Sequence, residues 1–447
     1  MFGRVLVANR GEIAVRVIRA LHELGSEAVA VYSTADADSL HVRLADQAVC
    51  IGPPAAADSY LQIQNVVAAA ETTGCEAVHP GYGFLAENPA FVRACVENDL
   101  VFVGPPADVM ATMGDKIAAK QAMRTASVPT VPGTEGATTI AGARAAAEEI
   151  GFPILLKATA GGGGKGMRLV QTPDELEDAF GTAAAEAQSA FGDPTMYLEK
   201  ALVPARHVEI QVLCDEHGNV LTLGERECSI QRRHQKLVEE SPSAALTPEL
   251  REEMEAAAER ACRAVGYRNA GTFEFLLGPD SSFYFIELNA RLQVEHPVTE
   301  LCTGIDLVRE QLRVASGERL TLTGRAPRRG HAIEIRVNAE DPEHDFRPAP
   351  GRIERFAPPQ GPGVRTDTFI EAGAAVPPYY DSLLAKVIVW DADRPAAIAR
   401  AERALRELVV EGVPTTRGTA LEVLASEPFR SGDYSTSTLE ELREVAA

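Results

Sequence analysis

Residues 287–300 read ELNARLQVEHPVTE, with Glu287, Asn289, Arg291, Gln293 and Glu295 at alternate positions and Leu288, Ala290, Leu292 and Val294 between them. In an extended chain alternate side chains share a face. A strand half-buried at a sheet surface alternates in the same way, because one face meets water. Asn and Glu, however, are poor strand formers. A face mixing acids, amides and a guanidinium suits binding of a metal and an anion.

Two further stretches bear on that reading. Glu274 in TFEF and Glu287 in FIELN lie on the two arms of a predicted hairpin. Carboxylates brought side by side repel, and a divalent cation removes the penalty. With Asn289 they form a hard-oxygen set suited to Mg²⁺ or Mn²⁺ held together with nucleotide phosphates. The run Gly161–Gly164, Lys165, Gly166 lets backbone N–H groups approach phosphate oxygens closely. Lys165 is followed by Gly rather than Ser or Thr, and the run joins two predicted strands. The pattern fits a Gly-rich flap over a triphosphate, with Lys157 and Lys165 beside it, and not a Walker A loop. The segment ECSIQRRHQK concentrates Arg232, Arg233, His234 and Lys236. By itself that run is a solvated face. In a chain of net charge −21 it also supplies the local cation density that phosphate chemistry needs.

The elements that must position these groups follow from periodicity. RVLVAN, EAVAVYS, QAVCIG, CEAVHP and LVFVGP read as strands alternating with amphipathic helices, which predicts a parallel, doubly wound sheet. Its first turn lacks G-x-G-x-x-G, so dinucleotide binding there is not expected. His79, Tyr82 and Glu87 follow the fourth strand, where ligands of such sheets gather. A Gly-rich turn with a packed tyrosine explains the same residues equally well. VPTVPGTEG reads as a hinge, and residues from about 130 to 203 as a β-rich subdomain. Its second helix is expected to start on a capping box at Thr172, Pro173 and Glu175. Two hairpins flank a charged helix from Pro248 to about Val265. The tail from about 331 mixes short strands with a final helix, RPAAIARAERALRELVV.

The motifs VLVANRGEIAVRVIRA, HPGYGFLAENP, GGGGKGM, RHVEIQVL, SIQRRHQK, FIELNARLQVEHPVTE, NAEDP and PPYYDSLLAK occur in this order across essentially the whole chain. The set resembles biotin carboxylase, an ATP-grasp ligase. The resemblance implies a multidomain α/β and α+β fold. A Rossmann-like N-terminal domain would span 1–113, an ATP-grasp domain with a Gly-rich lid 114–325, and a mixed α/β C-terminal domain 326–447. It assigns ATP to Lys116, Lys157, Gly163, Gly164, Glu199, Lys200, Ala201, Leu202, His207, Gln231 and His234, with Glu274 and Glu287 reaching it through Mg²⁺ or Mn²⁺. The metal falls to Glu274, Glu287 and Asn289. Bicarbonate falls to Lys236, Arg291 and the Val294 backbone, with Glu295 as general base. Tyr82 and Arg336 would face biotin. The implied reaction forms carboxyphosphate from bicarbonate and ATP, then carboxylates biotin carried on a separate protein. For Arg336 a structural ion pair with Glu334 or Glu340 is the alternative.

Two departures stand out. The glycine run begins one residue late, with Ala160. No Met-Lys dipeptide occurs, so the family's biotin attachment motif is absent. Carrier protein and carboxyltransferase are therefore expected as separate chains, unless this chain is a piece of a longer one. The acceptor is expected to be acetyl-CoA, in fatty acid synthesis, with propionyl-CoA and pyruvate as alternatives. A homodimer is expected.

Composition bounds the rest. The 447 residues are 45% hydrophobic and 24% charged, an ordinary globular mixture. The acidic balance excludes nucleic acid and anionic membrane as main partners. Seven scattered cysteines without C-x-x-C, no signal peptide and no bilayer-length apolar run fit a cytoplasmic protein. Two rivals share the phosphate features. Another ATP-grasp ligase would turn over ATP without regard to biotin. A non-catalytic ATP-binding module would not need Arg291 and Glu295 beside the metal ligands.

Overall fold

The computed structural model describes residues 1–134, 136–159, 166–232 and 235–446. The first hundred residues form the expected parallel sheet. In spatial order its strands are Gln47–Gly52, Glu27–Ser33, Arg4–Val7, Ala77–His79 and Val101–Phe102. Val5, Leu6, Val7, Val29 and Val31 are fully buried, as strands covered on both faces require. The strand order reverses between Arg4–Val7 and Ala77–His79, and such a switch point opens a crevice at the carboxyl ends. Asn9 closes it locally: its amide donates to the carbonyls of Pro80 and Tyr82 at 2.7 and 2.6 Å.

A three-stranded antiparallel sheet follows, ordered Met167–Val170, Ile154–Ala158, Met196–Lys200. Helices Ile140–Ile150 and Leu176–Phe191 pack on it around Ile154, Leu156, Val170 and Leu198. The predicted capping box is not formed. Residues Pro173–Glu175 make a 3₁₀ turn, and Thr172 contributes no side-chain cap. Glu175 instead accepts from the backbone of Gln171 at 3.0 Å, so the α-helix begins a turn later.

The largest sheet has nine strands among the described residues. Phe283–Asn289 forms one edge, followed by Asn269–Leu277, Arg206–Cys214, Val220–Arg232, Gln235–Ser241, His331–Asn338, Leu383–Asp391 and Val364–Thr368. The short strand Gly324–Arg325 pairs alongside Val220–Arg232. Both predicted hairpins are present. The sheet runs through position 325 without a break, because Gln235–Ser241 pairs with His331–Asn338. Ile230, Val238, Ile333, Ile335 and Val387 share one core across that junction. The tail departs from expectation. Helix Arg394–Glu407 is not the last; Arg417–Ala425, Glu427–Ser431 and Thr438–Ala446 follow. Pro428 and Gly432 punctuate these pieces, each too short for a clear helical period. No helix among the described residues is long and apolar enough to cross a membrane.

Candidate functional site

The hairpin of Asn269–Leu277 and Phe283–Asn289 sets Glu274 directly opposite Glu287, and Thr272 opposite Asn289. Buried Phe273, Phe275 and Phe285 anchor it from the other side. The two carboxylates have opposite environments. Glu274 is buried and accepts from Lys236 Nζ at 2.9 Å, Asn289 Nδ2 at 2.9 Å and Gln293 Nε2 at 3.0 Å. His207 Nε2 lies 2.9 Å away without hydrogen-bond alignment. Burial would raise the Glu274 pKa, but Lys236 and His207 outweigh it and hold the group well below the usual range. Glu287 is an exposed residue that lines a cavity with Lys116 and Asn289. The protein around it and the Glu274 charge push its pKa up.

That asymmetry tests the expected metal. An open carboxylate facing a second one, with an amide alongside, is a hard-oxygen set whose repulsion a divalent cation relieves. Glu274, Glu287 and Asn289 fit Mg²⁺ or Mn²⁺ in chemistry. Two different groupings, His207 with Glu209 and Glu274, and Glu209 with Cys228 and Glu295, bring donor atoms within 4.8 Å of one another. Their charge is already met. Lys236 Nζ bonds Glu209 at 2.7 Å, and buried Arg226 grips the other Glu209 oxygen at 2.5 Å.

The alternating face does not continue as a strand. Phe283–Asn289 ends at Asn289, and residues 290–295 form a loop before helix His296–Thr303. The cause is Glu87. Its carboxylate accepts from the Ala290 backbone at 2.9 Å and from Arg291 Nε at 2.8 Å, drawing the chain off the sheet edge. Arg291 also donates to Asn289 Oδ1 at 3.0 Å. Gln293 and Glu295 turn inward and are 3% and 1% exposed. The predicted residues converge, but through a loop rather than strand alternation.

Glu295 is gripped at both oxygens. Lys236 Nζ lies 2.6 Å from Oε1, and Arg336 Nη2 lies 2.9 Å from Oε2. Burial opposes ionisation of Glu295, but Lys236, Arg336 and Arg226 prevail and hold its carboxyl well below the usual range. Burial likewise works against the Lys236 ammonium, and the carboxylates of Glu209, Glu274 and Glu295 raise it well above the usual lysine range. The alternative ion pairs for Arg336 do not form as hydrogen bonds. Its second partner is Glu239 at 2.5 Å, a buried carboxyl that burial pushes up to about 7. Glu340 instead accepts from Ser382 and Asn338.

On the nucleotide side, Asp115 caps helix Lys116–Thr125 by accepting from the Ile117 and Ala118 N–H groups, which sets Lys116 at its start. Lys157 and Lys120 both bond Glu199, Lys157 at 2.5 Å. Burial and like-charged neighbours pull the Lys157 ammonium down to about 8 and Lys120 to about 7. Two lysines sharing one carboxylate, with the Lys116 charge close to both, form a site for a polyanion. A cavity of about 280 Å³ beside them is lined by Glu87, Met113, Lys116, Glu287 and Asn289, among others. Lys200 points away and donates to the carbonyls of Gly151 and Phe152. Ala201 is buried and Leu202 half-buried at the strand's end. Gln231 is buried opposite Lys236 in the register. Gly163, Gly164 and His234, with Lys165 and Arg233, lie outside the described residues.

Behind the parallel sheet's switch point, the Tyr82 hydroxyl donates to Glu12. Of the two residues named beside it, Glu87 reaches the site as above. His79 does not: it is buried, accepts from Gly81 N–H at 3.0 Å, and burial lowers its pKa to about 3. Glu209, Arg226, Glu239 and Lys120 were not legible as site residues. The signal for the first two was polar residues inside RHVEIQV and GERE, strands buried on both faces.

Residues 1–110 match the biotin carboxylase N-terminal domain, 115–323 the carbamoyl-phosphate synthase L chain ATP binding domain, and 334–441 the biotin carboxylase C-terminal domain. A biotin carboxylase of Nostoc sp. is 54% identical over 443 residues, covering 99% of each chain. A pyruvate carboxylase subunit of Methanothermobacter thermautotrophicus is 52% identical, over 99% of this chain and 90% of its own. The biotin carboxylase domain dimer of Hydrogenobacter thermophilus 2-oxoglutarate carboxylase, solved with MgADP, ADP and bicarbonate, superposes with a TM-score of 0.95. It is 47% identical, over 100% of this chain and 99% of its own. Matched by these three domains along nearly its whole length, and more than half identical to a biotin carboxylase over 99% of both chains, the chain belongs to the biotin carboxylase family of ATP-grasp ligases, enzymes of ATP-dependent biotin carboxylation.

Proposed function

We propose that this pocket carboxylates biotin on a separate carrier protein, using ATP and bicarbonate, with the roles divided as follows. Lys116, Lys120 and Lys157 hold the polyphosphate. Gly163, Gly164 and His234 join them by resemblance, with His207, Gln231 and the edge Glu199–Leu202 around the nucleotide. Glu274, Glu287 and Asn289 would hold Mg²⁺ or Mn²⁺, which when bound offsets charge on the phosphate oxygens. Arg291, Lys236 and the Val294 N–H orient bicarbonate. Tyr82 and Arg336 face biotin.

The observation that carries this reading is the pairing of Glu295 with Lys236 and Arg336. It keeps the carboxylate ionised and aimed between two cations. Glu295 takes the bicarbonate proton as the bicarbonate oxygen attacks the γ-phosphorus. The β–γ bridging P–O bond breaks and ADP leaves. Lys236 and Arg291 are fixed donors for the charge on the transferring group, the main source of catalysis in such transfers. The resulting carboxyphosphate splits at its C–O bond into CO₂ and phosphate. That phosphate takes the ureido proton, and the ureido nitrogen attacks CO₂. Arg336 stabilises the ureido oxygen as it becomes anionic.

The acceptor belongs to a partner carboxyltransferase, and acetyl-CoA in fatty acid synthesis is the reading we favour. The relatives named for pyruvate and 2-oxoglutarate carboxylation support pyruvate or another acid as the second reading. A homodimer and a cytoplasmic setting complete the proposal. The test is ADP release measured with free biotin, with and without bicarbonate. Turnover that needs bicarbonate and yields carboxybiotin is expected; ATP hydrolysis indifferent to both would overturn the reading.

A further inference from the structure

Two motifs find no role above: GEIA, with Glu12, and DSLLAK, with Lys386. They meet behind the base. Lys386 is fully buried on strand Leu383–Asp391, and its ammonium donates to the Val294 carbonyl at 2.8 Å. Glu12 Oε1 lies 3.2 Å from the same ammonium and Asp367 Oδ2 lies 3.8 Å away. Asp367 is already held by Arg365 at 2.8 and 2.7 Å, so Glu12 is the nearer and less committed anion. Glu12 Oε1 also accepts from the Tyr82 hydroxyl.

The register gives this arrangement a purpose. Lys386 stands directly across from Arg336. Arg336 grips the Glu295 carboxylate, while Lys386 grips the peptide that joins Val294 to Glu295. Adjacent cations on neighbouring strands thus hold both ends of one residue. The three groups come from three parts of the chain: helix Gly11–Glu23, the loop before helix His296–Thr303, and strand Leu383–Asp391. A buried ammonium is unfavourable unless its partners compensate it. Here the compensation comes from Glu12, Glu334 and Asp367, which keep Lys386 charged against the effect of burial.

We propose that Lys386 and Glu12 are a positioning pair that fixes the Val294–Glu295 peptide beneath the base and ties it to Tyr82. The inference rests on the roles proposed for Glu295, Val294 and Tyr82. Neither residue of the pair touches substrate. Lys386 sets where the carboxylate and the Val294 N–H stand, and Glu12 links that loop to the biotin-facing tyrosine. Displacing a reacting group by about an ångström is enough to cost on the order of 100-fold in rate.

Three variants test this in the full-length protein with free biotin, bicarbonate and MgATP. Lys386→Met keeps length but removes the donor. It is expected to lower kcat by roughly 10–100-fold and to raise the bicarbonate KM, leaving the ATP KM within about twofold. Lys386→Arg, which can still donate to the carbonyl, is expected to recover part of the loss. Glu12→Gln keeps an acceptor for Tyr82 and removes the charge, and is expected to raise the biotin KM more than the ATP KM. A folded Lys386→Met protein with wild-type kcat and bicarbonate KM overturns the proposal, as does an ATP KM that rises in step with the bicarbonate KM. Should Lys386→Met fail to fold, wild-type kinetics in Glu12→Gln overturn it alone. If the wild-type protein itself shows no biotin-dependent turnover, the assigned function has failed and not the positioning pair.

Discussion

Lys236 Nζ stands 2.6 Å from Glu295 Oε1, and the same ammonium reaches Glu209 and Glu274 at 2.7 and 2.9 Å. One cation therefore links the proposed base to a metal-ligand candidate across three strands and a loop. Glu295→Gln keeps the shape and removes the charge. Bicarbonate-dependent ADP release and carboxybiotin formation should fall together, by about 10²–10⁴, the usual worth of a general base. Parallel assays of both products on one preparation decide it; a loss confined to carboxybiotin counts against the role.

Arg336 bridges Glu239 and Glu295, so its removal touches two buried carboxylates. Arg336→Ala should cost roughly 3–5 kcal/mol of stability, because a broken buried pair leaves a charge uncompensated. Carboxylation should fall about 10²–10³-fold, as for a lost oxyanion donor, and bicarbonate-dependent ADP release should fall less. Adding Glu239→Gln should recover much of the melting temperature without recovering carboxylation. Recovery of both would make Arg336 merely structural.

Glu287 is exposed, while its partner Glu274 is buried and accepts its three hydrogen bonds at Oε1. Glu287→Gln should leave the melting temperature nearly unchanged. It should raise the Mg²⁺ concentration needed for half-maximal turnover by about tenfold or more, in line with the loss of one charged oxygen ligand. Titration of activity with Mg²⁺ at saturating ATP gives the answer, and an unshifted midpoint would remove Glu287 from the ligand set.

Lys157, pulled down to about 8 by burial and by Lys116, gains charge stabilisation when a polyphosphate arrives. The sign follows from linkage. At pH 8 the free protein holds this site partly deprotonated, the bound anion raises its pKa, and binding must take up protons. ATP affinity should therefore weaken as pH rises from about 7 to 9. Calorimetry at pH 8 in buffers of different ionisation enthalpy should register proton uptake. Lys157→Met should abolish most of it, and buffer-independent heats in the wild-type protein would contradict the assignment.

Whatever depends on local period and chemistry was legible in the order of the residues. Alternating apolar strands and amphipathic helices declared the parallel sheet. Hairpin spacing put Glu274 and Glu287 on two neighbouring arms, and the register set them opposite one another. The ordered motifs declared the family. Other features depend on contacts between distant residues, which no local pattern encodes. Glu87 ends the strand at Asn289 from more than two hundred positions away, because its carboxylate satisfies backbone and guanidinium donors that a longer strand would have left facing an open edge. Arg336 chose Glu239 over Glu334, although both acids lie near it, through the register and side-chain geometry of two strands. Lys386 and Glu12, separated by most of the chain, meet beside the Val294 carbonyl only when three parts of the fold close around the ammonium, since a buried ammonium must find its partners there.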